Sequence, residues 1–208
     1  MKTDEFLKQA EENENESSIS SAEKNFADER QAAQVFSSLK TKLLNIEEWN
    51  ARALISSYEV FSESGEHSKT GKIAAGVLIR LLLKGSGKYD WIRVIDISET
   101  EDEFIITVKP TFDPTAETSA EKTTSHFFTG ESANNFCLCR KGLTVALRVI
   151  GLSEKQNTSE TGGVLETIRN VAVNLGTYMG IQKSEWEKFC RHFLEDAAEE
   201  IAAVSNPK

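Results

Sequence analysis

The stretch on which the fold turns is Asn135-Phe136-Cys137-Leu138-Cys139-Arg140-Lys141-Gly142-Leu143-Thr144-Val145-Ala146-Leu147-Arg148-Val149-Ile150. Apolar and β-branched residues dominate both halves, as in strands, and Lys141-Gly142 separates them with a glycine free to take positive φ. A link this short permits only antiparallel pairing, because parallel strands need a crossover of a dozen or more residues. Working outward, residues 53–61, 75–83, 91–98 and 104–109 show the same strand-like composition. Thr100-Glu101-Asp102-Glu103 makes a second tight link. The expectation is therefore about six strands in one antiparallel sheet. The segment from Lys109 to Ser125, rich in Pro, Thr, Glu and Ser, reads as a longer, mobile connection.

The flanks change period. Between residues 23 and 46, Phe26, Ala33, Phe36, Leu39, Leu43 and Ile46 recur at three- and four-residue steps, which predicts one amphipathic helix, with Trp49 closing the core just past its end. After a polar linker over 152–163, Val164, Leu165, Ile168, Ala172, Leu175 and Met179 predict a helix over 164–179 with Gly180 as its C-cap. Ser184-Glu185-Trp186-Glu187 reads as the capping box of a last helix, whose stripe is Trp186, Phe189, Cys190, Phe193, Leu194, Ala197 and Ile201. This is an α+β pattern: an antiparallel sheet with an N-terminal helix and two C-terminal helices packed on it, forming a single domain over 23–208. A long amphipathic C-terminal helix after an antiparallel sheet resembles the helix-grip, START-like arrangement. That resemblance implies an apolar ligand cavity between sheet and helix, although no strand opening such a fold shows in the pattern. A β-barrel with appended helices is the alternative.

The chain has 208 residues and a net charge of −9, enough length for a real core and a surface that repels phosphates and anionic lipid, so neither nucleic acid nor membrane is expected as a partner. Through Arg30, nine acids face four bases, so more than half of the net charge lies in the first thirty residues. Residues 1–22, with the run Glu11-Glu12-Asn13-Glu14-Asn15-Glu16, read as an acidic tail, flexible or marginally helical. The first ten residues lack a signal-peptide core, and Ile73 to Leu83 is too short for a bilayer and contains Arg80. Three cysteines, an odd number, fit a reducing compartment, so a cytoplasmic protein is expected. Cys137 and Cys139 are one residue apart, too close for the usual zinc spacing.

Catalytic signatures are absent: there is no phosphate loop, dinucleotide fingerprint, nucleophile elbow or His-Glu-x-x-His. Gly85-Ser86-Gly87-Lys88 lacks the upstream glycine spacing and reads as a turn. No metal or cofactor is expected. Among three histidines, His67 lies in a polar loop, His192 on the last helix, and His126 beside Phe127 and Phe128, where it would stand at a pocket mouth. Four arginines, Arg80, Arg93, Arg140 and Arg148, fall within strands of an acidic chain; converging beside Trp91, they would make a planar anion-binding face. Solvated arginines paired with acids are the structural alternative. These residues favour a non-catalytic module that binds a small anionic or amphipathic ligand, or a protein. The alternatives are an enzyme using His126 with strand arginines as an anion clamp, and a subunit that oligomerises through an edge strand.

Overall fold

The computed structural model describes residues 1–53, 56–83, 89–115, 131–153 and 175–205. Its elements run α1 (Lys2–Glu12), β1 (Ser18–Asn25), α2 (Glu29–Leu43), α3 (Ile46–Arg52), β2 (Ser56–Phe61), β3 (Leu78–Leu83), β4 (Tyr89–Glu99), β5 (Glu103–Pro110), β6 (Ala133–Lys141), β7 (Thr144–Leu152) and α4 (Leu175–Ser205). The strands form one antiparallel curled sheet of seven in the order β1-β7-β6-β5-β4-β3-β2. The α+β class, the antiparallel sheet and all six expected strands are present. In the β6–β7 hairpin Lys141 pairs with Thr144 and Gly142 has φ of 58°, the positive value that a two-residue turn needs at its first position.

Alternation divides the sheet into two faces. Tyr58, Val60, Ile79, Val94, Phe104, Ile106, Phe136, Leu138 and Leu147 point inward and share one core with α2, α3 and α4. The other set, including Ile105, Cys137 and Ile150, points outward beneath α1. A bulge between Val94 and Asp96 breaks the β4–β5 register, so that Val94 and Ile97, three residues apart, both face the inner core while Ile95 is exposed.

The seventh strand is β1, inside the region expected as a tail. Its sequence, Ser-Ile-Ser-Ser-Ala-Glu-Lys-Asn, carries too little apolar bulk to be read as a strand, because small residues are what its place requires. The helix α4 crosses it closely: Ser20 Oγ donates to the Lys183 carbonyl at 3.2 Å, and Cys190 Sγ donates to the Ser20 carbonyl at 3.8 Å. The rest of the expected tail forms α1.

Three helix expectations need correction. The single helix over 23–46 is the end of β1 followed by α2, and a break at Leu44 and Asn45 starts α3, where the Asn45 side chain accepts from the Glu47 amide at 3.1 Å. Trp49 therefore lies within α3, and its Nε1 donates to the Leu43 carbonyl at 3.0 Å, satisfying the end of α2. Residues 164–174 of the expected helix over 164–179 lie outside the described residues. Beyond them, α4 runs unbroken through Gly180, so Gly180 is no C-cap and Ser184 no N-cap; an interior glycine costs a helix only about 1 kcal/mol relative to alanine. Most of the connection from 109 to 125, and the turn at 85–88, also fall outside the described residues.

Both edges of the sheet are partly covered. Helix α4 packs along β1, with Cys190 Sγ on the Ser20 carbonyl, and at the end of β2 the Ser68 amide donates to the Val60 carbonyl at 2.7 Å. On β2, Asn50 of α3 acts as a surrogate strand: its Nδ2 donates to the Tyr58 carbonyl at 2.9 Å and its Oδ1 accepts from the Tyr58 amide at 2.7 Å. An edge whose backbone groups are already paired offers no template to another strand.

Candidate functional site

On the inner face, the period-two pattern of β2 and β6 and the helical period of α4 bring six rings together. The Trp49 ring centroid lies 4.6 Å from that of Phe136, 5.5 Å from Phe189 and 5.7 Å from Tyr58. Trp186 extends the row, 5.2 Å from Phe136, 5.3 Å from Phe189 and 6.5 Å from Tyr58. Phe193 stacks on Phe189 at 4.4 Å. Edge-on and tilted contacts of this kind add to the area they bury.

The two indoles differ in their polar ends. Trp49 Nε1 has its carbonyl, whereas Trp186 Nε1 is buried and has no hydrogen-bond partner among the described residues. One position earlier on α4, Glu185 is buried, as is Ser56 of β2, and the Ser56 hydroxyl donates to Glu185 Oε2 at 3.2 Å. An apolar wall with a few convergent polar groups is the chemistry of a small-molecule site. Leaving a buried donor unpaired costs about 1–3 kcal/mol, which an acceptor placed against the indole N–H would recover.

Of the sequence-predicted residues, the structure brings together Arg80, Arg93 and Trp91, all on the outer face of β3 and β4, where Arg80 pairs with Trp91 and Arg93 with Leu78 in register. The Arg80 guanidinium lies 4.3 Å from the Tyr89 ring, 4.9 Å from Phe61 and 5.8 Å from Trp91, and its Nη2 and Nε both reach Glu59 Oε2, at 2.6 and 3.0 Å. Arg93 Nη2 holds Glu63 at 2.6 Å. Arg148 shares the outer face but lies on β7, three strands from β4, or about 14 Å at the usual strand spacing, and is paired with Glu23 at 3.4 Å. Arg140, at the end of β6, is held by Asp102 at 2.6 Å. Each guanidinium thus meets a carboxylate of a neighbouring element. His126 lies outside the described residues. His67 is exposed, 3.8 Å from Glu59 and edge-on to Phe61. His192 is half-buried on α4.

The thiols are not activated. Burial pushes Cys137 and Cys190 up to about 12 and raises Cys139 as well, so none is a thiolate near neutral pH. Among the described residues, no three His, Cys, Asp or Glu side chains group to hold a metal ion, and no helix is long and apolar enough to cross a membrane.

The residues missed at the level of sequence are Ser56, Glu185 and the unpaired end of Trp186. Trp186 was legible as a member of the α4 stripe. That its nitrogen would lack an acceptor depends on β2, well over a hundred residues away, and no local pattern carries it.

No protein-family model and no curated protein sequence matches the chain. Solved structures similar to it include a hypothetical protein from Helicobacter pylori, 9% identical, covering 84% of this chain and 87% of that one with a TM-score of 0.49. A conserved protein from Geobacillus kaustophilus is 12% identical over 88% of this chain and 95% of its own, with a TM-score of 0.47. Norcoclaurine synthase from Thalictrum flavum, in complex with dopamine and hydroxybenzaldehyde, is 8% identical over 92% and 90%, with a TM-score of 0.39.

Proposed function

We propose that the chain is a non-catalytic binding module that takes a small amphipathic ligand on the inner face of the sheet, under the N-terminal half of α4. This is the helix-grip mode of use, with the sheet curled beneath one long helix. The observation that carries it is the buried Nε1 of Trp186, without a hydrogen-bond partner among the described residues, at the end of an aromatic row and one residue along α4 from the Glu185 that accepts from Ser56. A ligand with an apolar body and one acceptor group suits that lining. Inactive thiols and paired arginines fit binding better than chemistry, and free buried thiols go with a reducing, cytoplasmic setting.

Titration with anilinonaphthalene sulfonate, which joins apolar rings to an anionic acceptor, tests the reading. Saturable binding by the native chain is expected, weakened about tenfold in Trp186→Phe, which keeps the ring and deletes the donor. Equal binding by both proteins, with unchanged unfolding midpoints, would overturn it.

Arg80, Arg93 and Trp91 support a second reading, a protein contact on the outer face. Tyr89 is 43% exposed over the Arg80 guanidinium, the pairing of aromatic and arginine common in binding hot spots.

A further inference from the structure

The outer face carries a device that the binding reading does not use. Helix α1 lies across β5, β6 and β7 with Ala10, Phe6 and Leu7 over Ile105, Cys137 and Ile150. Its N-terminal end has no side-chain cap of its own. A strand residue supplies one: the amides of Lys2 and Thr3 donate to the carboxylate of Glu103 at 3.1 and 2.8 Å, and Lys2 Nζ reaches Asp96 at 3.0 Å. Beneath this end Cys139 Sγ lies 3.2 Å from Thr3 Oγ1.

Among the described residues little else holds the helix. Only Thr3 and Ala10 are buried in its 11 residues, close to the length below which isolated helices are marginal. Its last turn contains Glu11 and Glu12 and no basic residue, so its C-terminal charge opposes the helix dipole. The sheet beneath does not depend on it, since all seven strands are paired and the main core lies on the opposite face. Segments with few buried contacts open at lower free energy than the whole domain.

We propose that α1 is a releasable strap, latched by Glu103, whose undocking exposes the Cys137 and Cys139 thiols and the apolar stripe around them while the sheet stays folded. Cys190 provides the internal reference. It is equally free and buried, but sits on the inward side of α4 in the main core, so only opening of that core exposes it.

The test is alkylation of the full chain by iodoacetamide under native conditions, with the rate at each cysteine resolved by peptide mass. The expected result is alkylation of Cys139 at least about tenfold faster than Cys190. Glu103→Ala should raise the rates at Cys137 and Cys139 by roughly tenfold more, the scale of a lost N-cap, and leave Cys190 unchanged. Leu7→Ala, which keeps the latch and weakens the packing, should do the same to a smaller degree. A single rate shared by all three cysteines that moves together in both variants would overturn the proposal. So would a Cys139 rate that neither variant changes.

Discussion

Helix α4 crosses the inner face with Phe189, Phe193, Leu194 and Ala197 all at or below 2% exposure, whereas α1 buries only Thr3 and Ala10 in the outer face. Both helices pack on the same seven-stranded sheet, and the alternation that feeds one core feeds the other. The difference is in what each strand residue meets. Among the described residues, inward residues meet three helices and a row of rings, whereas outward residues meet one short helix around Ile105, Cys137 and Ile150 and a small cluster of Phe61, Leu78 and Trp91. Global stability therefore belongs to the inner face, and local opening to the outer one.

Substitution at the inner centre should have the largest effect. Trp49 is fully buried against Tyr58, Phe136 and Phe189 and also satisfies the Leu43 carbonyl. Trp49→Ala is expected to cost about 3–5 kcal/mol in urea unfolding, a large share of a domain's total stability. A loss below about 1 kcal/mol would place the main core elsewhere and break the comparison.

Next in size is the plug on β2. Asn50→Ala removes both bonds to the Tyr58 backbone and should cost about 1–3 kcal/mol. It also unpairs the Tyr58 backbone at the edge, so light scattering should show more association in the variant than in the native chain. A strictly monomeric Asn50→Ala would mean that other groups guard this edge.

The contrast between the faces also explains what was legible in the sequence. Inward strands announce themselves, because Val145, Leu147 and Val149 alternate with Thr144, Ala146 and Arg148, and the composition and period agree. Strand β1 and helix α1 do not. Each is held by distant partners: Ser20 by α4, and the end of α1 by Glu103 from a strand a hundred residues away. Local composition there resembles a solvated tail, since the contacts that order it are small, polar and long-range. The site followed the same logic. Alternation alone placed Arg93 on the face of Trp91, while the arrival of Arg80 beside them through the β3–β4 register, the carboxylate partners, and the unpaired nitrogen of Trp186 depend on tertiary neighbours.

Alkaline titration sharpens the comparison. Cys137 on the outer side and Cys190 on the inner side are both pushed from 9.0 to about 12 by burial. Between those values the unfolded chain gives up the thiol proton and the folded chain keeps it, so the unfolded state binds fewer protons. Each thiol's effect is thus absent below about pH 9, and stability falls as pH rises from there toward 12. The slope approaches about 1.4 kcal/mol per pH unit for each thiol. Cys190→Ala should lower the urea midpoint near neutral pH, where the thiol is protonated in both states, and flatten its decline between pH 8 and 10. An unchanged slope would mean that Cys190 titrates alike in both states.

The smallest effects belong to the outer-face arginines, and they should differ from one another. Arg93 holds Glu63 in an exposed pair, where solvent screening and side-chain entropy leave at most a few tenths of a kcal/mol. Arg80 has the same kind of ion pair, with Glu59, but its guanidinium also covers Phe61, Tyr89 and Trp91. Added salt should weaken the ionic part of both and leave the packing of Arg80 over its rings in place. Arg80→Ala is therefore expected to cost about 1 kcal/mol, largely retained at high salt, and Arg93→Ala roughly 0–0.5 kcal/mol. Equal, salt-sensitive losses would show that the rings beneath Arg80 contribute nothing, and that the outer face away from α1 has no packed cluster of its own.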